Sequence, residues 1–125
     1  MAQSDLFPLY SLPSAQWVDA AEVAHWGSWR DAVTWCWLNQ RYHSIAQNKG
    51  AQVAFRNYCE QVYGMNPHPP HVSRWLDHDS RAPMDLPPDY VSAFESFTGW
   101  RGLTQRFNRK AKTTCLEEIQ SRMAA

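Results

Sequence analysis

Residues 64–79 constrain the fold most, because they combine the end of one helix with the start of another. Pro67 should end the preceding helix, since proline lacks an N–H and disfavours helical geometry in the residue before it. Pro69 and Pro70 suit the first turn of a helix, where the N–H groups have no partner within the helix. We therefore predict a short helix over residues 69–78, entered from a tight turn.

The spacing of side chains gives this short helix two different sides. Three apolar residues are spaced to face inward together: Val72, Trp75 and Leu76. Polar and basic residues are left to face outward: His71, Ser73, Arg74 and His78. A helix with one buried side and an exposed row of Arg, Ser and His is typical of a surface that recognises another molecule.

Apolar residues recur at helical spacing along most of the chain. Trp29, Val33, Cys36 and Trp37 form a wide apolar stripe that predicts a central core helix. Ser28 and Asp31 resemble a capping box at its start. This helix is predicted over residues 28–43. Further helices are predicted over residues 15–26, capped by Ser14, and over 51–63, 86–99 and 103–123. No stretch alternates as a strand would, so we expect a compact all-α domain of five to six helices.

The chain divides into three parts in this interpretation. Residues 1–27 form an N-terminal arm and a short helix, expected to pack on the domain itself, with a dimer arm as the alternative. Residues 28–99 form the core. Residues 100–125 form a C-terminal helix, in which apolar residues repeat every fourth position from Leu103 to Met123. Such a stripe drifts by roughly 40° per step, so its first half should face the core and its second half a second subunit.

Two consecutive helices joined by a tight turn are typical of a helix-turn-helix. The segments 58–64 (YCEQVYG) and 72–76 (VSRWL) resemble the Cro and lambda-repressor type of helix-turn-helix protein, and the resemblance covers residues 28–99. Cys59 takes the small-residue position where the two helices touch, and Val72 the buried apolar position.

The sequence departs from that family in three places. The turn is about two residues longer than the usual pattern. Phe55 stands where the family has a glutamine. Pro69 and Pro70 fall where many relatives place base-reading polar side chains, and proline cannot donate a hydrogen bond. Recognition of the DNA sequence would then depend on side chains further along the helix, or on the shape of the DNA.

The resemblance implies a sequence-specific regulator of transcription that binds double-stranded DNA, expected to be a repressor and a homodimer on paired half-sites. The second motif helix would enter the major groove, with base contacts from His71, Ser73 and Arg74. Arginine is the strongest candidate, since a bidentate contact with guanine contributes about 1–3 kcal/mol. Phosphate contacts are expected from Lys49, Gln52, Arg56 and Arg81. No cofactor is implied.

The charge balance leaves an alternative open. The chain carries 12 Lys and Arg against 12 Asp and Glu, so no bulk charge attracts it to nucleic acid or membrane. Zero net charge and the proline pair also suit a protein–protein interaction module on a helix-turn-helix scaffold that does not read DNA.

Other kinds of site are less well supported by the sequence. Ligand-type residues cluster near the second motif helix, but their spacing matches no zinc pattern and we predict no metal site: His68, His71, Asp77, His78 and Asp79. Cys59 lies in an apolar pattern, where a thiol is usually inert. With no glycine-rich phosphate loop and no carboxylate pair of evident role, we expect no enzyme, and no small-molecule ligand is evident.

Cysteine usage and hydropathy bear on location. The cysteines, Cys36, Cys59 and Cys115, are an odd number, far apart and within apolar patterns, as expected of reduced buried thiols. No apolar run reaches the length of a membrane span, and the N-terminus has no basic-then-apolar signal pattern. We expect no membrane partner and a cytoplasmic protein.

Overall fold

The computed structural model describes residues 15–41, 49–111 and 116–124, and these residues are mostly helical. Seven α-helices follow one another in the described residues: α1 Ala20–Ala24, α2 Trp29–Leu38, α3 Lys49–Tyr63, α4 Pro69–Leu76, α5 Val91–Thr98, α6 Gly102–Lys110 and α7 Leu116–Ala124. A 3-10 turn, Pro88–Tyr90, leads into α5. The described ranges hold no strand and a single bridge, between Gln16 and Trp100. The predicted all-α class is confirmed, but the described residues hold seven helices rather than the predicted five to six.

The start of α2 is fixed by the two side chains that the sequence indicated. The Ser28 hydroxyl accepts a hydrogen bond from the Asp31 N–H at 3.1 Å, and the Asp31 carboxylate accepts one from the Gly27 N–H at 3.0 Å. The helix ends at Leu38 rather than near residue 43. Beyond it the chain turns toward α5, where the Arg41 N–H donates to the carbonyl of Thr98 at 2.9 Å.

The first helix is much shorter than predicted, because residues 15–19 pair with a distant part of the chain. The Gln16 N–H donates to the Gly99 carbonyl at 2.9 Å, and the Arg101 N–H donates to the Gln16 carbonyl at 2.8 Å. Both backbone groups of Val18 bond the Gln105 side-chain amide, each at 2.8 Å. These bonds hold the segment extended up to Asp19. Ser14, the predicted cap, lies outside the described residues.

The core forms around α2, as its apolar stripe predicted. Trp37 is buried and its ring stacks against Phe94 and Phe97 of α5, with centroids 6.2 and 6.0 Å apart. Phe55 of α3 meets Trp37 edge-on at 6.1 Å. α2 also contacts α4 and α6, while α3 packs on α4 and α5. α5 ends where predicted, at Gly99 in the left-handed region with φ of 82°.

The C-terminal part holds two helices, so the prediction of one helix over 103–123 is wrong. The Gln105 amide nitrogen lies 3.5 Å from the Glu118 carboxylate, although the two residues are 13 apart in sequence. One straight helix would separate them by roughly 20 Å, so α7 instead lies beside α6. The predicted stripe is consequently divided: Leu103 is buried, whereas Phe107 is 65% and Met123 82% exposed.

None of the helices within the described ranges combines the length and the apolar character that a membrane span requires.

Candidate nucleic-acid interface

The two helices that carry the predicted site are joined by a five-residue connection, residues 64–68. Gly64 has a φ of 66°, in the left-handed region that favours glycine. Its N–H donates to the Glu60 carbonyl at 3.0 Å, and the Met65 N–H donates to the Cys59 carbonyl at 3.1 Å. These bonds end α3 and turn the chain toward α4.

α4 buries the side that the sequence predicted: Val72, Trp75 and Leu76. At its start Pro69 and Pro70 are both exposed and have no N–H to donate. The Val72 N–H already bonds the His68 carbonyl at 3.1 Å. The first turn of α4 is therefore a weak place to bind an anion through backbone N–H groups.

The three predicted base-reading residues lie on α4 but differ in how they are held. His71 is exposed, with its ring 4.8 Å from that of His68. Ser73 is half-buried. Arg74 is also half-buried, and its Nε donates to the Ala82 carbonyl at 2.7 Å. A base contact from Arg74 would have to use the terminal guanidinium nitrogens.

The predicted phosphate contacts fall into two groups. Lys49 is the first residue of α3, and its side chain lies outside what the structure describes. Gln52 and Arg56 are half-buried and one helical turn apart, so they share a side of α3. Arg81 is exposed in the loop after α4, next to the residue that accepts the Arg74 bond. The structure thus brings Arg74 and Arg81 to one loop.

Arg30 is a residue of this site that the sequence interpretation missed. Its Nη1 lies 3.0 Å from the carbonyl oxygen of Arg74, 3.4 Å from that of Trp75 and 3.3 Å from that of Met84. Its Nη2 donates to the Asp77 carbonyl at 2.7 Å. A guanidinium at these carbonyl groups satisfies the C-terminal end of α4 and complements the negative end of its dipole.

The sequence holds one indirect signal for Arg30. It stands in the first turn of α2, where a cation opposes the positive end of the helix dipole. Such a placement suggests that the charge serves another element, but it does not identify which one.

The ligand-type residues near α4 divide between its two ends. His68 and His71 lie at the start of the helix, and Asp77, His78 and Asp79 follow its end. In the second group, ligand atoms lie within 4.8 Å of one another. The Asp79 N–H donates to the Asp77 carboxylate at 3.0 Å. An eight-residue helix is about 12 Å long, so the two groups do not form one cluster.

The two described cysteines are buried in the core. Burial raises the pKa of Cys59 to about 12. Burial, with the nearby charge of Glu95 as the second cause, raises the pKa of Cys36 above its ordinary value. Both thiols therefore stay protonated at neutral pH, which disfavours their action as nucleophiles.

No protein-family model, curated protein or solved structure matches this chain.

Proposed function

We propose that the protein binds double-stranded DNA as a transcriptional regulator, with α3 and α4 acting as a helix-turn-helix of the lambda-repressor-like type. The supporting observation is the way α4 is held. Arg30 bonds the carbonyl groups at the end of α4, and the Arg74 side chain is fixed to Ala82 beyond it. A helix held in one position loses less conformational entropy when it binds.

In this proposal α4 enters the major groove. The terminal nitrogens of Arg74 contact a guanine, with His71 and Ser73 beside it. Lys49, Gln52, Arg56 and Arg81 contact phosphates on either side. The protein is a homodimer that acts as a repressor in the cytoplasm, and the exposed apolar residues of α7, Ile119 and Met123, are available to a second subunit.

The test is fluorescence-anisotropy titration of DNA fragments from the upstream region of the gene, at two salt concentrations. Wild type should bind tightly, and its affinity should fall steeply with salt because phosphate contacts release counterions. Arg74→Ala should lower the preference for the best fragment by about 1–3 kcal/mol. Arg109→Ala, an exposed substitution on α6, is the matched control and should bind as wild type does. Equal affinity of Arg74→Ala and wild type for the best fragment would refute the role of Arg74.

A protein–protein interaction module without DNA reading is the second candidate. It is favoured by the two exposed prolines at the start of α4, which cannot donate to a base or a phosphate, and by the zero net charge. This candidate predicts no salt-sensitive binding to any fragment. Binding of a partner protein should instead be lost when Pro70 is replaced by aspartate, and wild type should retain this binding at high salt.

A further inference from the structure

A cavity of about 510 Å³ lies between the start of α2 and the second half of α6. Its volume falls within the range of about 300–1,000 Å³ that is usual for small-molecule sites. Aromatic and charged side chains line it: Trp29, Asp85, Arg106, Phe107 and Lys110. None of these side chains is among those predicted to contact DNA.

Two aromatic side chains give the cavity its apolar surface. Trp29 is half-buried, and its indole N–H is already bonded to the Leu86 carbonyl at 3.0 Å. The indole therefore has only apolar ring surface left to offer. Phe107 is 65% exposed, so most of its ring is left in water. A flat apolar molecule would cover both rings and gain from the burial of their surface.

The charges of the cavity favour an anion. Among the lining side chains, Arg106 and Lys110 are opposed by Asp85, which leaves one net positive charge. The Asp31 carboxylate does not line the cavity and accepts a hydrogen bond from the Gly27 N–H at 3.0 Å. The adjoining ends of α2 and α6 carry helix-dipole charges of opposite sign, which oppose each other. The lining side chains therefore determine the sign of the electrostatic potential in the cavity.

Arg106 also holds a hydrogen-bond donor that is not used. Its Nη2 donates to the Gly27 carbonyl at 3.3 Å. Its Nε is buried and has no hydrogen-bond partner within the part of the chain that the structure describes. Because this Nε is inaccessible, a carboxylate in the cavity would be held by the terminal guanidinium nitrogens of Arg106 and by the ammonium group of Lys110.

We propose that this cavity binds a small aromatic carboxylate. The ring lies against Trp29 and Phe107, and the carboxylate lies against Arg106 and Lys110. This binding does not depend on the proposed contact with DNA, and it is measured without DNA present.

The test is isothermal titration calorimetry of the full chain with 2-naphthoate, and with 2-naphthamide as its neutral counterpart. Lys110→Met removes an exposed cation of the cavity, and Phe107→Ala removes an exposed ring, so neither change disturbs the core. Arg109→Met is the matched control, since it removes an exposed cation of the same helix that does not line the cavity.

We expect wild type to bind 2-naphthoate with a dissociation constant below about 1 mM and the amide about tenfold more weakly. Lys110→Met and Phe107→Ala should each weaken 2-naphthoate binding about fivefold to tenfold, and Arg109→Met less than about twofold. The proposal is overturned by the absence of saturable binding, by equal affinity for the acid and the amide, or by an equal effect of Arg109→Met and Lys110→Met.

Discussion

Replacing Arg30 with alanine should destabilise the protein by about 2–4 kcal/mol, as worked out from its hydrogen bonds. Its two short bonds go to the carbonyl groups of Arg74 at 3.0 Å and Asp77 at 2.7 Å. A hydrogen bond from a charged donor contributes about 1.5–3 kcal/mol. Without Arg30, the Arg74 carbonyl still accepts a hydrogen bond from the Met84 N–H at 3.1 Å, and the Asp77 carbonyl still accepts one from the Ser80 N–H at 3.1 Å. Neither acceptor is orphaned, so each bond counts at the low end of that range.

A conservative variant separates the charge of Arg30 from its shape. Arg30→Lys keeps the positive charge near the end of α4, where it still complements the helix dipole. A compact ammonium cannot reach the set of carbonyl groups that the planar guanidinium spans. We expect Arg30→Lys to recover about half of the lost free energy of unfolding.

The assay is urea denaturation of wild type, Arg30→Ala and Arg30→Lys. Arg109→Ala is the control and should change the free energy of unfolding by less than about 0.5 kcal/mol, as exposed substitutions usually do. Hydrogen exchange gives a local readout, because the Asp77 and Met84 N–H groups bond the carbonyls of Ser73 and Arg74. Both amides should exchange faster in Arg30→Ala. A free energy of unfolding within about 0.5 kcal/mol of wild type, with both amides as protected as before, would refute the reasoning.

Three further predictions concern the interior. Gln105→Ala should lower the free energy of unfolding by about 2–6 kcal/mol in urea denaturation, because it orphans the buried N–H and C=O of Val18 at about 1–3 kcal/mol each. Gly102→Ala should lower it by about 1–3 kcal/mol through overpacking, since the new Cβ would lie 2.7 Å from the buried Sγ of Cys36; a melting temperature equal to that of wild type would contradict this. Burial raises the pKa of Glu95 above 4.5, so its contribution to stability is present below pH 4.5 and lost as pH rises through the raised pKa. The free energy of unfolding of Glu95→Gln minus that of wild type should therefore increase as pH rises above 4.5, and a pH-independent difference would contradict it.

The parts of the fold that depend on local pattern could be predicted from the sequence. The stripe of α2 and the buried side of α4 follow from the helical period alone. The Ser28 cap needs only the next three residues, and Gly99 needs only its own freedom to adopt a positive φ. Each of these features is determined by interactions within a few residues.

The errors lie where distant residues override local preference. Residues 15–19 have a helical pattern, but the backbone of Val18 bonds Gln105, which is 87 residues away. The same glutamine approaches Glu118, which shows that α7 turns back beside α6. A four-residue apolar repeat does not show whether it continues through one helix or belongs to two.

The sequence predicted which helix carries the candidate residues, but not the hydrogen bonds that hold that helix and its side chains in place. The sequence placed His71, Ser73 and Arg74 on the short helix, since that follows from spacing. It could not show that the Arg74 guanidinium is bonded to Ala82, because loop conformations carry no periodic signal. It could not assign Arg30 to the end of α4 either, since that pairing joins residues 44 to 47 apart.

The shortness of the helices explains why such side-chain bonds matter here. α4 has 8 residues and α2 has 10, and isolated helices shorter than about 12–15 residues are marginal in water. The orientation of α4 must therefore come from its buried side and from bonds such as those of Arg30. His71 is exposed, so its substitution should remove only the proposed contact with DNA and leave the free energy of unfolding nearly unchanged. A substitution of Arg30 should lower both the affinity for DNA and the free energy of unfolding, because Arg30 holds the end of α4 and is not proposed to contact DNA. Measuring stability beside affinity for the same variants separates the residues proposed to read DNA from those that position the helix.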